Sequence, residues 1–558
     1  MVSGRLVNQM GCIIITIIGE VMKKIFGIAA LIAAIQVSSS FAFAEKVNQL
    51  SDVRVRQAIA YAIDMETIAD TLLEGKAIAA DSMIPNGAWK APGLDNYGYN
   101  PDKARALLKD AGWDDTQTLD VVYYYGDQLT ADLMVALQAY LGDVGIKITY
   151  RKLEGDVGGQ LGKLATAGSE TSAIEWDMAY GAKAALALQE YYNGYQSGKN
   201  SYSPGSAQVD KLISRINGTV NVKEQKQAFV DFEKYENKNL TDIPLYYQQL
   251  FVYESDRINR HGGSYGNEQF NYDWGLLDWT VEADKDGKRV AYTNTAPSQF
   301  FEHPWLNPGI TIQQKITFDR LLTADGSLVP TKGQLAKSFK VSKDGMSVSF
   351  ELKKDLKWHD GFDLTGSDVK GSVELAMKVP GINAVFAKTF ESIEGAQDYT
   401  SGGVKGVSGI VVDGRKVTFN FATLDPNMLL TFSQFPPLPM HLLGSVNPLE
   451  FQQQSYWQNP VGSGPYKIEE VQMNDFVRYT PFADYHGGIA KIGEIVSFPS
   501  GENDANVLKN AAAGRLDFGF TKSVGDVKAL EAMENMKVVP ADIPYTRSLR
   551  MNSYPKKP

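Results

Sequence analysis

Few of the residue patterns that catalysis requires occur in this 558-residue sequence. A single cysteine, Cys12, leaves no internal disulfide and no Cys-rich zinc site. The histidines, His261, His303, His359, His441 and His486, are spread over more than two hundred residues. None forms the helix-spaced pair of a metalloprotease, so no shared metal site is expected. Gly462-Ser463-Gly464 lies in PVGSGPY with no histidine close in sequence. Gly158 to Lys163 (GGQLGK) lacks both the P-loop spacing and the Ser or Thr that follows its Lys, so no nucleotide cofactor is expected. Paired carboxylates stay open as a source of hydrolysis, because Asp and Glu number 65. The chemistry on offer is that of binding, with an exported hydrolase as the rival.

The length exceeds what one core organises, so two or three domains are expected. Hydrophobic content of 44% and charged content of 22% are those of an ordinary globular chain. A net charge of -10 with scattered Lys and Arg argues against a nucleic-acid partner, which needs a concentrated positive field.

Residues 1–44 read as export machinery. Met22-Lys23-Lys24, the apolar run Ile25 to Ile35 and the Ala42-Phe43-Ala44 site together form a secretory signal, with Glu45 as the mature start. The segment Met1 to Val21 is either upstream of the true start at Met22 or an extension of the signal. Met10-Gly11-Cys12 resembles a lipoprotein site but has no adequate apolar stretch before it, so no lipid anchor is expected. No later run is long enough for a membrane helix.

Beyond the signal, strand and helix patterns alternate, which reads as α/β. Ser51 is placed to cap a helix with Val55, Ala58, Ile59, Ala62 and Ile63 on one face. Asn100 caps a second helix, with Pro101 in its first turn, a stripe of Ala104, Leu107, Leu108 and Ala111, and Gly112 at its end. A strand at Leu119 to Tyr125, a helix at Thr130 to Leu141 and a strand at Ile146 to Tyr150 follow. Later, Val290-Ala291-Tyr292 opens a β-rich half, Ser347 to Leu352 alternates strictly, and Ile410 to Phe421 reads as a hairpin about Asp413-Gly414. Glu282 to Lys288 (EADKDGK) is a charged linker between the halves.

The block Ala336 to Val369 (AKSFKVSKDGMSVSFELKKDLKWHDGFDLTGSDV) resembles the signature of the family 5 extracellular solute-binding proteins, receptors of ABC importers for peptides, nickel and oligosaccharides. PVGSGPY at Pro460 to Tyr466, DVRVRQAIAYAID at Asp52 to Asp64 and YNPDKARALLKDAG at Tyr99 to Gly112 are similar to the same family. Their order differs from the family's, in which DVRVRQAIAYAID lies downstream of the other blocks. Joining Pro558 to Leu50 restores the family's passage, so a circular permutation is expected, tied by Glu282 to Lys288. Chain ends that lie close together at a surface make such a rearrangement possible. A rearranged gene whose product folds poorly is the bland alternative.

The resemblance implies an α/β, two-lobed periplasmic-binding-protein type II fold with an additional inserted domain, in circularly permuted order. It divides the chain into 45–255, the lobe of the usual C-terminal half; 256–330, the first part of the main lobe; 331–457, the small inserted domain; 458–545, the second part of the main lobe; and 546–558, the crossover. The new break is expected to sever one covalent strand of the hinge. A ligand, an oligopeptide or oligosaccharide, would sit between the lobes and be handed to an inner-membrane permease, or report to a sensor. The expected protein is periplasmic, monomeric and without a cofactor.

The resemblance also marks ligand contacts. The loop carrying Phe300, Phe301 and Trp305 faces the cleft in family members, where aromatic faces stack on sugar rings or peptide side chains. Tyr545 and Arg547, in IPYTRSLRMN, enter the crossover, and Arg547 suits a carboxylate. In WDMAYGAKAALALQEYY (Trp176 to Tyr192), Tyr180 and Lys183 are candidates. There the acidic residue that peptide receptors use for an α-amino group falls near Leu186. Trp358 is expected to be a packing anchor.

Overall fold

Two strands much longer than the rest organise the molecule, a computed structural model that describes residues 48–166, 171–185, 187–262, 275–295, 302–306, 312–325, 328–472, 474–501 and 505–555. The export segment and the Cys12 region lie outside the described residues, as do Phe300, Phe301 and Leu186.

In the first lobe, strands β1 (Ala77–Ala79), β2 (Thr118–Tyr123), β3 (Lys147–Lys152), β4 (Met178–Ala184) and the first half of β5 (Asp242–Ser255) build one mixed sheet. Helices α1 (Val53–Ala62), α2 (Pro101–Ala111) and α3 (Gln128–Asp143) bring apolar residues to one shared core with that sheet, among them Ile59, Leu108, Leu137 and Tyr180. Helices α4 (Ala207–Asn217) and α5 (Val222–Asn239) supply a second core with Tyr191 and Tyr195. Helix α2 begins and ends as its residues dictate. Asn100 accepts from the Lys103 N–H, a cap worth about 1 kcal/mol, and Gly112 takes φ +67 to close the last turn. At α1 the cap is Asp52, one residue after the expected Ser51, because Gln49–Ser51 form a 3-10 turn whose own cap is Asn48. Strand β2 stops at Tyr123, so Tyr124 and Tyr125 belong to the loop at its end.

The second lobe carries β6 (Ala291–Thr295), and a domain inserted within it holds the four-stranded sheet of β7 (Ala336–Val341), β8 (Ser347–Leu352), β9 (Ile410–Asp413) and β10 (Lys416–Asn420). Val348, Phe350 and Leu352 alternate into that domain's core, and Gly414 takes the positive φ the hairpin needs. Then come β11 (Tyr466–Gln472), β12 (Phe476–Pro481), β13 (Ile495–Pro499) and β14 (Phe518–Thr521). Strands β11, β12, β13 and β6 pair in that order, with β13 parallel to β6.

The last strand, β15 (Met536–Met551), runs antiparallel to β5 along nearly its whole length. Both strands change lobe midway. Ile243 and Leu245 of β5 pack in the first-lobe core, Leu250 and Val252 in the second. On β15, Ile543 belongs to the second core and Leu549 to the first. The register slips between Asp542 and Thr546, a bulge that bends the pair where it crosses.

Both covalent crossings are therefore continuous, which corrects the expectation that one hinge strand is severed. The described chain ends meet inside the first lobe instead. The Asn48 side-chain amide donates to the carbonyls of Asn552 at 2.5 Å and Tyr554 at 2.8 Å. The 282–288 segment is a tight exposed turn, with Gly287 at positive φ and the Asp284 carboxylate accepting from the Asp286 and Lys288 N–H groups.

Candidate functional site

Parallel strands β2, β3 and β4 all end on the side where β5 and β15 cross to the second lobe. That edge is where open α/β sheets bind ligands, because the loops there are free of ladder pairing. Strand β4 pairs with β15 so that Arg547 lies opposite Ala182, Tyr545 opposite Ala184 and Leu549 opposite Tyr180. Side chains alternate along a strand, so Tyr180, Arg547 and Tyr545 share one face.

On that face Arg547 sits among phenol rings. Its guanidinium carbon is 4.0 Å from the Tyr125 ring centre, 5.2 Å from that of Tyr545 and 5.8 Å from that of Tyr180. Its Nε donates to Gln248 Oε1 at 2.9 Å, while Nη1 is buried with no hydrogen-bond partner. Burial works against its charge, but the surrounding tyrosines more than offset it and raise its pKa. The Tyr180 hydroxyl meets that of Tyr246 at 2.8 Å, and Tyr124 meets Tyr125 at 2.7 Å. Desolvation raises the pKa of both Tyr180 and Tyr125, so they stay neutral near pH 7. From the second lobe, the Lys522 ammonium lies 4.9 Å from the Tyr545 ring centre. The result is a guanidinium held by π faces and one amide, with no ion pair recorded among the described residues. A carboxylate is the group such a fork accepts.

Lys183 does not join them. It points to the other face of β4, half-buried, with its ammonium 3.3 Å from the Tyr195 hydroxyl and 4.3 Å from that ring's centre. Tyr195 and Tyr202 both donate to the Asp242 carboxylate, which is 5% exposed. Desolvation lowers the Lys183 pKa against the pull of Asp242. Lys183 is thus part of an interior charge network, set there by the strand's alternation. Trp305 is likewise enclosed: 0% exposed, stacked at 4.9 Å on Phe451 and 5.1 Å on Phe435, its indole N–H donating to the Pro436 carbonyl. It anchors the core of the inserted domain and does not face a cleft. Trp358 is also fully buried in that core. Tyr180 shares the Arg547 cluster but is only 1% exposed, a wall behind the rings.

A cavity of about 380 Å3 lies beside the crossing and was invisible to motif reading. Its walls come from the first-lobe loop 84–89, Leu188 and Tyr191, from Asp325 and Leu328, and from Asp542 to Pro544 on β15. Nothing marks Asp325 or Asp542 in sequence, since each is one aspartate in an unpatterned stretch. Nearby the lobes touch, the Asn427 amide of the inserted domain lying 3.3 Å from Gln189 Oε1 and from the Tyr192 hydroxyl.

Among the described residues no group of three or more His, Cys, Asp or Glu is placed to hold a metal ion, and no helix is long and apolar enough to cross a membrane. The sequence does hold one Gly-x-Ser-x-Gly pattern, Gly262 to Gly266 (GGSYG), after His261. Ser264 lies outside the described residues. The strand before it, Ile258–Asn259, has two residues and pairs with Thr280–Val281.

The model of the bacterial extracellular solute-binding proteins, family 5, matches residues 26–208 and 331–558. A Brucella ovis protein named as an ABC transporter peptide-binding protein is 27% identical over 226 residues, 40% of this chain and 40% of its own length. The oligopeptide-binding protein AppA of Bacillus subtilis is 26% identical over 222 residues, 39% of this chain and 38% of its own. The chain spans about two fifths of the length of the curated relatives it matches. Among solved structures, AppA of Bacillus subtilis with a nonapeptide aligns at 21% identity and TM-score 0.35, covering 45% of this chain and 46% of that one.

Proposed function

Because the chain belongs to the bacterial extracellular solute-binding proteins of family 5, we propose that it is the receptor of an ABC importer, capturing a peptide between its lobes and passing it to the permease. The observation that carries this reading is the Arg547 cluster, a guanidinium with no ion pair among the described residues and a buried Nη1 without a hydrogen bond, at the junction of two lobes joined by two continuous strands. A ligand that touches both lobes favours the closed arrangement by its differential affinity for it. Nothing in this cycle requires a bond to be made or broken. The relatives' names favour peptide over oligosaccharide. The signal segment favours the periplasm, and the chain works as a monomer.

The order of the halves is permuted in this reading. The buried Asn48–Tyr554 contact, which brings residues 48 and 554 together, and the tight exposed turn at 282–288 support it. A re-cut chain that starts at Asp286 and runs directly from residue 555 into 48 keeps the fold, with the same peptide profile. A re-cut chain that fails to fold rejects the permuted order.

A thermal-shift screen against peptide and oligosaccharide panels tests the function. A ligand at a hundredfold excess over its Kd stabilises by about 2.7 kcal/mol, a rise of a few degrees for a chain of this size. Peptides raise the midpoint and oligosaccharides do not. A folded sample that no peptide shifts rejects the proposal. Cleavage of panel peptides points instead to a hydrolase, with Ser264 as the first residue to substitute.

A further inference from the structure

Arg547 is held in two ways, and each fixes something the other leaves loose. Its guanidinium carbon lies 4.0 Å from the Tyr125 ring centre and 5.2 Å from that of Tyr545. A ring face attracts a guanidinium without choosing how it is turned. The turn is set by one hydrogen bond, from Nε to Gln248 Oε1 at 2.9 Å. That bond occupies the side of the guanidinium, while its end carries Nη1, a buried donor without a hydrogen bond. Gln248 reaches this place because of the β15 bulge. Asp542 pairs with Gln249 and Thr546 with Tyr247, so Ile543 to Tyr545 all stand against the single position of Gln248. A bulge of this kind re-aims side chains. On its other edge Gln248 pairs with Ala77 of β1, which fixes its backbone in the sheet. Arg547 pairs with Tyr246, two residues from Gln248, and residues two apart on a strand share a face. Gln248 is therefore a half-buried amide on the front face, where the strands cross between the lobes.

We propose that Gln248 is the positioning and specificity residue of the Arg547 site. Its amide turns the guanidinium so that the Nη1 end meets the ligand, and its neutrality keeps the positive charge for a carboxylate that the ligand brings. This role rests on the peptide-receptor reading and adds to it the feature selected, a free carboxylate at the lobe junction. The choice of amide at this position is what makes the selection. A Glu of the same length would pair with Arg547 and neutralise it inside the chain, leaving the ligand's carboxylate to face an occupied cation. An apolar residue would take the acceptor from Nε and let the guanidinium turn, so its end would no longer be aimed. The amide alone holds the fork without answering its charge. A buried donor that stays unbonded costs free energy, and the carboxylate that bonds it removes that cost.

The test offers the full chain three tetrapeptide libraries randomised over Ala, Leu, Phe, Gln and Lys. One has a free C-terminus, one is amidated, and one is amidated but carries a single added Glu. Equilibrium dialysis with mass spectrometry gives the ratio of acid-bearing to amidated peptide retained. The wild type is expected to retain an acid-bearing library at least tenfold over the plain amide. Preference for the free C-terminus assigns the carboxylate to the peptide's end, and preference for the Glu library assigns it to a side chain. Gln248→Glu is expected to bring the ratio to within twofold of one, with a melting point no lower than that of the wild type. Gln248→Leu lowers the ratio at least threefold. Lost packing alone would weaken acid and amide together and leave the ratio where it was. A wild-type ratio in Gln248→Glu, or in a folded Gln248→Leu, overturns the assignment. A wild type that retains peptides without an acid preference also overturns it and leaves the peptide receptor standing. If no library is retained by the wild-type chain, the receptor reading fails and the role of Gln248 fails with it.

Discussion

The two faces of the β4–β15 pair each hold a cluster of cations and phenols, and they differ in one residue type. Behind the sheet, Lys183 lies with Tyr195 and Tyr202 around Asp242, so the positive charge has an acid at its centre. Arg550 on the same side has its guanidinium 5.9 Å from the Tyr202 ring centre. In front, Arg547 lies among Tyr125, Tyr180 and Tyr545, and among the described residues its one side-chain hydrogen bond is to the Gln248 amide. A cluster that contains its own counter-charge is complete, and removing a member leaves the others exposed to the cost of burial. A cluster that lacks one has stability to gain from whatever supplies it. The rear cluster holds the lobe together, and the front one is poised to bind.

Breaking the rear cluster should have the largest effect. Asp242→Ala leaves the buried Tyr195 and Tyr202 hydroxyls without their charged acceptor and removes the nearest acid from the Lys183 ammonium, and is expected to cost about 2–5 kcal/mol, since hydrogen bonds to charged groups are worth about 1.5–3 kcal/mol each. Urea unfolding reads this as a lower midpoint. A loss below 1 kcal/mol would mean that the rear network is not the structural element described.

A pH titration sharpens the same region. Burial raises the Glu236 pKa to about 7, with Asp242 adding to the rise and Arg56 and Lys183 opposing it. The folded chain therefore keeps a proton that the unfolded chain gives up near pH 4.5. Between those values the native state binds more protons, and stability falls as pH rises through the window. The shift corresponds to ~3 kcal/mol. Glu233, also raised by burial to about 7, adds in the same direction. Glu236→Gln should flatten the fall in unfolding free energy between pH 4.5 and 7. An unchanged slope would place the titration elsewhere.

The front cluster inverts the pattern. Arg547→Met removes a buried charge that has no ion pair among the described residues, so stability should change by less than about 1 kcal/mol or improve. Peptide affinity should fall by at least tenfold, since hydrogen bonds to charged groups are worth about 1.5–3 kcal/mol. Calorimetry with a peptide and its C-terminal amide separates the roles: the variant should bind both alike. If the variant unfolds readily and the wild type ignores amidation, the two faces are not different in kind.

How much of this was open to reading depended on the range of the signal. Local patterns were legible: the α2 caps at Asn100 and Gly112 and the alternation of Ser347–Leu352 depend on neighbours a few residues away. The family blocks pointed to Arg547 and Tyr180, which do share a cluster. Lys183 and Trp305 were assigned by position along the chain, and what decides their surroundings is strand parity for one and the fold of a separate domain for the other. Asp325 and Asp542 could not be found in this way, because they meet at one cavity across more than two hundred residues with no motif at either.

The smallest effect concerns the seam between the described ends. Asn48 spends its side chain on three bonds: its amide donates to the Asn552 and Tyr554 carbonyls, and its carbonyl oxygen accepts from the Leu50 N–H. It is 4% exposed, so the groups it leaves behind would not be freely solvated. Asn48→Ala should cost about 1–2 kcal/mol, less than three full hydrogen bonds because the chain near the seam can relax. The rear cluster is close to this seam through Tyr202, whose carbonyl accepts from the Ser553 N–H at 2.8 Å, whereas among the described residues Arg547, Tyr125 and Tyr545 make no hydrogen bond to it. Amide exchange in Asn48→Ala should therefore rise at Tyr202 and Ser553, with peptide binding at Arg547 unaltered. Faster exchange confined to the Arg547 face would show that the seam supports the binding side instead, and the division between the two faces would have to be redrawn.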